Sequence, residues 1–238
     1  MDKGYGGICT VYNNVKEWNH VFKLDPNKHL SDSDLNLVGR SGTDAVIIGG
    51  TDGVTYDNVT ALLMRMQAFE LPCLLEVSAL EAISPEFDGY LIPMVMNSRE
   101  KRYMLDVQHE AVKQYGDFIE WNDMFVEGYC VMNEQAKVFQ AANCTLPDYE
   151  DVIAYARMAE HMFHLPVFYI EYSGRFGDVN LVREIAEQLD KTLLFYGGGI
   201  RSEADARQMK PYADVIVVGD IIYENIQAAL ETVQACKK

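Results

Sequence analysis

Two kinds of hydrophobic pattern alternate along most of the chain. Continuous apolar runs of four to seven residues are typical of parallel strands buried on both faces, whereas apolar residues recurring every three or four positions are typical of amphipathic helices. The apolar runs predict eight strands, at Val21–Asp25, Ala45–Gly50, Cys73–Val77, Tyr90–Met96, Gly128–Met132, Val167–Tyr172, Leu193–Tyr196 and Val215–Val218.

The helical pattern follows most of these strands and is predicted over residues 56–69, 100–115, 148–163, 179–189 and 225–237. Eight buried parallel strands with helices between them indicate an α/β protein, and favour a closed (β/α)8 TIM barrel over an open sheet. The length of 238 residues fits one such barrel, for which about 250 is typical. We therefore predict a single barrel domain at 18–238, preceded by a loose, disordered N-terminal extension at 1–17.

One repeat of this pattern is too short for a full helix. Only twelve residues, Ser78 to Gly89, separate the third and fourth strands, and they include Pro85. We expect the third helix of the barrel to be missing or reduced to a turn. This would leave an open apolar slot on the flank, suited to a long hydrophobic ligand. A short helix, or a flank covered by a neighbouring subunit, is the alternative.

Composition narrows the function classes. The net charge is −16 and no basic residues cluster, which argues against nucleic acid as a partner. An anionic substrate would have to rely on local donors and on a metal ion. Five widely spaced cysteines and the absence of an export signal predict reduced thiols in a cytoplasmic protein.

Two strand-to-helix turns near the C-terminus carry glycines. The strand at 193–196 runs into Gly197, Gly198 and Gly199, and the strand at 215–218 runs into Gly219 and Asp220. Glycines let backbone N–H groups approach an anion, and the loops after strands seven and eight of such barrels often bind phosphate. The ordered pair therefore predicts a phosphate site, although two tight turns would give the same pattern.

Polar residues at the ends of the first three strands are candidates for chemistry, because functional groups of such barrels gather there. An ammonium at Lys23 suits a phosphate, and a carboxylate at Asp25 suits Mg2+. The Thr51 hydroxyl is a further candidate ligand, and Glu76 needs a partner within its apolar strand. A structural ion pair, helix capping and a bond to a neighbouring strand are the alternatives for these residues.

The sixth strand alternates polar and apolar positions. Period two places Tyr169, Glu171 and Ser173 on one face, which should point to the barrel mouth. A carboxylate there is able to take a proton from a substrate hydroxyl. A buried, hydrogen-bonded structural Glu171 is the alternative.

These motifs together resemble the geranylgeranylglyceryl phosphate synthase family, and most closely its bacterial branch of heptaprenylglyceryl phosphate synthases. The motifs are HVFKLDP at 20–26, GGTDG at 49–53, YIEYSG at 169–174 and YGGGI at 196–200. The resemblance runs from Trp18 to the C-terminus. It implies a modified barrel, usually a homodimer, that uses Mg2+ to couple sn-glycerol 1-phosphate to a polyprenyl diphosphate with release of diphosphate. The lipid product would bring transient contact with a membrane surface.

The resemblance also implies roles for individual residues. Lys23 would contact the glycerol phosphate, and Asp25 and Thr51 would serve Mg2+. The glycerol site would be lined by Tyr169, Ile170, Glu171, Tyr172, Ser173 and Gly174, with Glu171 as the base. The phosphate would be held by Gly199, Gly219 and Asp220. Asp220 departs from the family pattern, which has asparagine there, and an ionised carboxylate would repel the phosphate.

Two other function classes stay open at this point. A barrel isomerase or aldolase acting on a sugar phosphate would need neither a metal nor a long apolar slot. A non-catalytic phosphate- or lipid-binding protein would release no diphosphate when given both substrates.

Overall fold

The predicted eight-stranded parallel barrel is confirmed. A computed structural model describes residues 15–237, in which each strand pairs with its neighbours in chain order and the first pairs with the eighth. The strands are β1 His20–Leu24, β2 Ala45–Ile48, β3 Cys73–Glu76, β4 Gly89–Val95, β5 Met124–Val131, β6 Val167–Glu171, β7 Leu193–Gly197 and β8 Val215–Val218.

Helices surround this barrel, and four of the nine α-helices within residues 15–237 begin within one residue of a predicted start. The nine are α1 Asp32–Gly39, α2 Tyr56–Met66, α3 Val107–Tyr115, α4 Lys137–Ala141, α5 Tyr149–Arg157, α6 Val179–Ala186, α7 Glu203–Met209, α8 Ile221–Glu224 and α9 Ile226–Cys236. Thr55 and Asp148 begin α2 and α5 with reciprocal capping bonds to Asn58 and Asp151. Such caps satisfy backbone N–H groups that have no partner inside the helix, and so fix where it starts.

The core has two layers, which follow from the alternation of side chains along each strand. On β6, Val167 and Tyr169 point into the barrel, while Phe168 and Ile170 pack outward against the helices. Cys73 and Cys130 are buried in the outer layer. At the end opposite the site, Val15 and Trp18 pack against the inner layer.

The predicted extension at 1–17 lies mostly outside the described residues and stays a prediction. No helix within residues 15–237 is long and apolar enough to cross a membrane.

The expectation that the third barrel helix is missing or reduced to a turn is confirmed. Between β3 and β4 the chain forms a single helical turn at Leu80–Ala82, where a full helix would otherwise cover the sheet. The outward faces of Tyr90 and Ile92 on β4 are therefore only partly buried. Helix α3 lies beside this gap and is tied to β4 by the Gln108 side-chain amide, which donates to the carbonyl of Pro93 over 2.7 Å.

At the end of the barrel opposite the glycine turns, one buried carboxylate stabilises the entry to β7. Glu160 is 6% exposed and accepts backbone N–H bonds from Asp190, Lys191 and Thr192, the last over 2.9 Å. Burial alone would raise the pKa of Glu160, but these bonds outweigh it and lower the pKa from 4.5 to about 2. The charged form of Glu160 therefore stabilises the folded state.

We expect Glu160→Gln to lower the free energy of unfolding at pH 7 by about 1–3 kcal/mol, because one acceptor oxygen becomes an amide donor. The unfolded carboxyl binds a proton near pH 4.5 and the folded one near pH 2. The stabilisation is therefore complete above pH 4.5 and is lost as the pH falls towards 2. Urea unfolding at pH 7 and pH 3.5 should show a smaller gap between variant and wild type at the lower pH, and an equal gap would contradict this role.

Candidate active site

The carboxyl ends of the strands open into one cavity of about 1380 Å³ that starts at the barrel mouth and continues down the flank at the helix gap. Ten of the twelve residues predicted from the sequence line it: Lys23, Asp25, Thr51, Tyr169, Glu171, Ser173, Gly174, Gly199, Gly219 and Asp220. The side chains of Ile170 and Tyr172 point away, into the layer between barrel and helices. Only their backbone atoms remain available to a ligand at the mouth.

Lys23 and Glu76 form an ion pair at the base of the mouth. The Lys23 ammonium lies 2.7 Å from Glu76 Oε1, and the two side chains are 19% and 7% exposed. Burial by itself would lower the pKa of Lys23, but the carboxylates of Glu76 and Glu171 outweigh burial and raise it. Lys23 therefore stays charged and available to an anionic ligand, while Glu76 finds the partner that its strand position requires.

Glu171 is fixed by three donors. Its Oε1 accepts from the backbone N–H of Ser173 and, over 3.1 Å, from the Ser173 hydroxyl, while Oε2 lies 3.1 Å from the hydroxyl of Tyr129. The carboxylate is 7% exposed and lines the cavity. Its orientation is thus set before any ligand arrives, as a general base requires.

Two stacked tyrosines form the floor beside this carboxylate. The rings of Tyr129 and Tyr169 lie 4.8 Å apart, and the ammonium of Lys23 is 5.9 Å and 5.6 Å from their centres. Burial raises the pKa of both hydroxyls well above the ordinary value, and the nearby charge of Glu171 adds to this. Both tyrosines therefore remain protonated and can act only as neutral hydrogen-bonding groups.

The glycine turns crowd against the loop after β6. Gly199 has φ +63°, and a Cβ there would lie 2.1 Å from the backbone nitrogen of Phe176, so no other residue fits without a shift. Tyr196 links the two loops, because its hydroxyl accepts from Gly177 N–H over 2.7 Å and donates to Gly198 O over 2.9 Å. Ser173 holds a left-handed φ of 40°, which costs about 1–3 kcal/mol in a non-glycine residue. Such strain is typical of functional sites.

Asp25 and Thr51 offer oxygen ligands on the other side of the mouth. A Cβ on Gly50 would lie 2.9 Å from Asp25 Oδ1, so the carboxylate sits directly over the Gly50 backbone next to Thr51. One Asp25 oxygen accepts from Asn27 N–H, which leaves the other for a ligand. Carboxylate and hydroxyl oxygens suit Mg2+, which is usually held by one or two carboxylates plus substrate phosphates and water. No cluster of three or more His, Cys, Asp or Glu side chains suited to a metal occurs within residues 15–237. Asp25 and Thr51 thus offer two oxygen donors, which on their own are fewer than a complete set of Mg2+ ligands.

Below the mouth, the cavity becomes an apolar groove between α3 and the β3–β4 connection. Ala111, on α3, lines it. Other apolar lining residues are Ile83, Phe87, Tyr90, Ile92, Val107 and Val126. Phe118 and Trp121 also line it, at 82% and 58% exposure. The cavity thus joins a charged mouth to a long apolar groove that is open to the surface.

Sequence reasoning missed Glu127 because it began the fifth strand at Gly128, whereas β5 starts at Met124. Tyr129 lay inside the predicted strand but was not singled out as a site residue. With the strand extended, period two places Phe125, Glu127 and Tyr129 on the inner face. Glu127 is fully buried, and neither carboxylate oxygen has a hydrogen-bond partner among the described residues. Burial raises its pKa well above the ordinary value, which favours the uncharged form of Glu127. Glu127 interrupts the apolar run, so the hydrophobic pattern did not show that the strand begins before Gly128.

Comparison with solved structures supports the same architecture. A geranylgeranylglyceryl phosphate synthase from Thermoplasma acidophilum, in complex with its substrate sn-glycerol-1-phosphate, superposes with a TM-score of 0.85 at 22% identity, covering 96% of this chain and 98% of that one. The enzyme from Thermoplasma volcanium gives 0.84 at 19% identity, covering 95% and 97%. At these identities the likeness establishes the fold alone.

Sequence relatives are much closer. The heptaprenylglyceryl phosphate synthase of Anoxybacillus flavithermus is 56% identical over 226 residues, covering 94% of this chain and 98% of the relative. That of Oceanobacillus iheyensis is 55% identical over 225 residues, with the same coverage. The model of the PcrB family matches residues 13–237. The resemblance drawn from the motifs is confirmed, and the chain belongs to the PcrB family.

Proposed function

We propose that this chain is a prenyltransferase that couples sn-glycerol 1-phosphate to a long polyprenyl diphosphate, heptaprenyl diphosphate above all. The observation that carries the proposal is the single cavity that joins a charged, glycine-lined mouth to an apolar groove in place of the third barrel helix. One end suits a phosphorylated polyol and the other suits a hydrocarbon tail. The names of the close relatives support the same reaction.

In this proposal the glycerol phosphate lies between β6, β7 and β8. Lys23 and the backbone N–H groups at Gly199, Gly219 and Asp220 hold the phosphate, while residues 169–174 contact the glycerol. Glu171 takes the proton from the attacking glycerol hydroxyl. The oxygen then bonds to the allylic carbon, the carbon–oxygen bond to diphosphate breaks, and diphosphate leaves with the bonding pair. An ether-linked polyprenylglyceryl phosphate remains.

Asp25 and Thr51 are the residues that would hold Mg2+. When bound, the ion neutralises charge on the diphosphate leaving group. The Asn27 N–H bond to Asp25 and the bond between Asp25 N–H and the Tyr223 hydroxyl, 2.8 Å long, keep the carboxylate at the mouth in readiness for it.

An assay with glycerol 1-phosphate, Mg2+ and prenyl diphosphates of two to eight units tests the function. We expect diphosphate release and an ether-linked product, with the highest kcat/KM near seven units. A barrel isomerase or aldolase, or a phosphate- or lipid-binding protein, would release no diphosphate under these conditions. Release without glycerol 1-phosphate would instead indicate hydrolysis.

We expect Ala111→Trp to shift the preferred chain from about seven prenyl units to about four, because the indole would block the groove. Burial of each unit contributes about 2–4 kcal/mol at ~0.8 kcal/mol per CH2 before ordering costs, so the loss should fall on the longer chains alone. Glycerol-phosphate affinity should change little. Ala204→Trp, on the exposed surface of α7, is the matched control. An unchanged length profile in Ala111→Trp would place the tail elsewhere.

We further propose a cytoplasmic homodimer whose product is handed to a membrane surface. The dimer and the compartment rest on the family resemblance and on the reduced thiols expected from the sequence. The membrane contact is supported by the exposed Phe118 and Trp121 at the groove, since aromatic side chains prefer membrane interfaces. Light scattering and vesicle flotation test the assembly and the contact respectively.

A further inference from the structure

An acidic side chain stands at the rim of the glycine-lined mouth, where the proposed function places a phosphate. Asp220 follows β8 directly and lines the cavity. Its Oδ2 faces the turn after β6, since a Cβ on Gly174 would lie 3.6 Å from it. An uncompensated carboxylate there would repel a phosphate dianion.

The structure pairs this carboxylate with a lysine from the opposite end of the chain. The ammonium of Lys28, in the loop between β1 and α1, lies 2.9 Å from Asp220 Oδ1. The two side chains are 44% and 52% exposed, so the pair is hydrated and its partners can exchange. Lys28 also lines the cavity.

A second contact fixes the position of Lys28. Its ammonium lies 5.0 Å from the centre of the Tyr223 ring, within the range of cation–π attraction. The hydroxyl of the same tyrosine accepts the backbone N–H of Asp25. Tyr223 thus contacts Lys28 through the face of its ring and the end of β1 through its hydroxyl. These two contacts connect the phosphate side of the mouth to the side that carries Asp25.

The other described cations that line the mouth pair with carboxylates other than Asp220. Lys23 pairs with Glu76, Lys137 with Asp52, and Arg201 with Glu224. Lys28 is therefore the cation positioned to offset Asp220.

We propose that Lys28 is a positioning residue for the substrate phosphate: it neutralises Asp220, and so allows an acidic residue to stand at the rim of a phosphate site. The proposal rests on the proposed function for the identity of the substrate, but not for the presence of a phosphate site. Its consequence is that the importance of Lys28 depends on the charge at position 220.

A double-mutant cycle tests this dependence. The variants are Lys28→Met, which keeps an apolar stem over Tyr223, Asp220→Asn, and the two combined. Calorimetry measures the Kd of glycerol 1-phosphate and, separately, of inorganic phosphate. We expect Lys28→Met to weaken binding about 10- to 100-fold when Asp220 is present, as for loss of a charged partner, and less than about 3-fold in the Asp220→Asn background. Asp220→Asn alone should bind as tightly as wild type or more tightly.

The control is Lys191→Met, which makes the same change in net charge at an exposed position outside the mouth. It should leave both Kd values unchanged, and thermal unfolding should show all variants folded. Equal losses from Lys28→Met in both backgrounds, or no loss in either, would overturn the proposal. Because inorganic phosphate needs no prenyl substrate, the cycle can succeed even if the transfer assay fails, and the two failures are distinguishable. A wild-type protein that binds neither phosphate probe would overturn both.

Discussion

Asp25→Asn should lower the rate of prenyl transfer at limiting Mg2+ by about 10³-fold while leaving the fold intact. Such a loss corresponds to about 4 kcal/mol of barrier, within the several kcal/mol that a bound metal supplies. The asparagine keeps an oxygen that can accept from Asn27 N–H, so the turn at the end of β1 should survive. The negative charge, however, is gone.

A readout other than turnover separates the metal role from other roles of Asp25. Calorimetric titration of Mg2+ in the presence of diphosphate should show weaker binding in Asp25→Asn, and raised Mg2+ should restore part of the rate. The control Asp190→Asn removes the same charge from an exposed position at the far end of the barrel. Near-wild-type activity and Mg2+ affinity in Asp25→Asn would remove this residue from the metal site.

Glu171→Gln should reduce kcat by about 10²- to 10⁴-fold, the range typical of general-base catalysis, with less than about a 3-fold change in the Kd of glycerol 1-phosphate. The amide oxygen can still accept from Ser173, and the shape of the site is kept. Only the capacity to take the hydroxyl proton is lost. We therefore expect kcat to fall while the Kd of glycerol 1-phosphate stays nearly the same.

Three observations test whether Glu171 is the base. Glu187→Gln, on an exposed surface past the end of α6, should be neutral in both assays. If calorimetry shows that Glu171→Gln loses affinity in step with rate, Glu171 binds the glycerol and is not the base. Activity that recovers at high pH would point to a hydroxyl deprotonated by solvent, in agreement with loss of the base.

The helix gap could be predicted from the local sequence, but the walls of the groove that it creates could not. A twelve-residue spacing between two apolar runs was enough to predict the missing helix, because two loops and a helix need more chain than that. The spacing does not reveal what walls the resulting groove. That depends on α3, which is attached to β4 by Gln108 and lies beside the gap only once the barrel has closed.

In the active site, too, the sequence predicted the position of residues but not their contacts. Strand ends and glycine turns located nine of the ten lining residues, because in a parallel barrel all carboxyl ends meet at one mouth, and the family resemblance added Gly174. The local sequence did not identify the side chains with which these residues pair. Lys23 with Glu76, and Lys28 with Asp220, are 53 and 192 positions apart, and nothing in their neighbouring sequence specifies the pairing.

What the sequence determined by itself was therefore set by local periodicity and spacing: eight strands, the face of the sixth strand that points to the mouth, the helix gap and the chemistry gathered at the strand ends. The tertiary structure decided which charges neutralise one another, that Glu127 is fully buried, and that mouth and groove form one cavity. The physical reason is that the hydrophobic pattern of a strand or helix depends on a few adjacent residues. Electrostatic pairing and cavity shape arise only when strands distant in sequence are brought together by closure of the barrel.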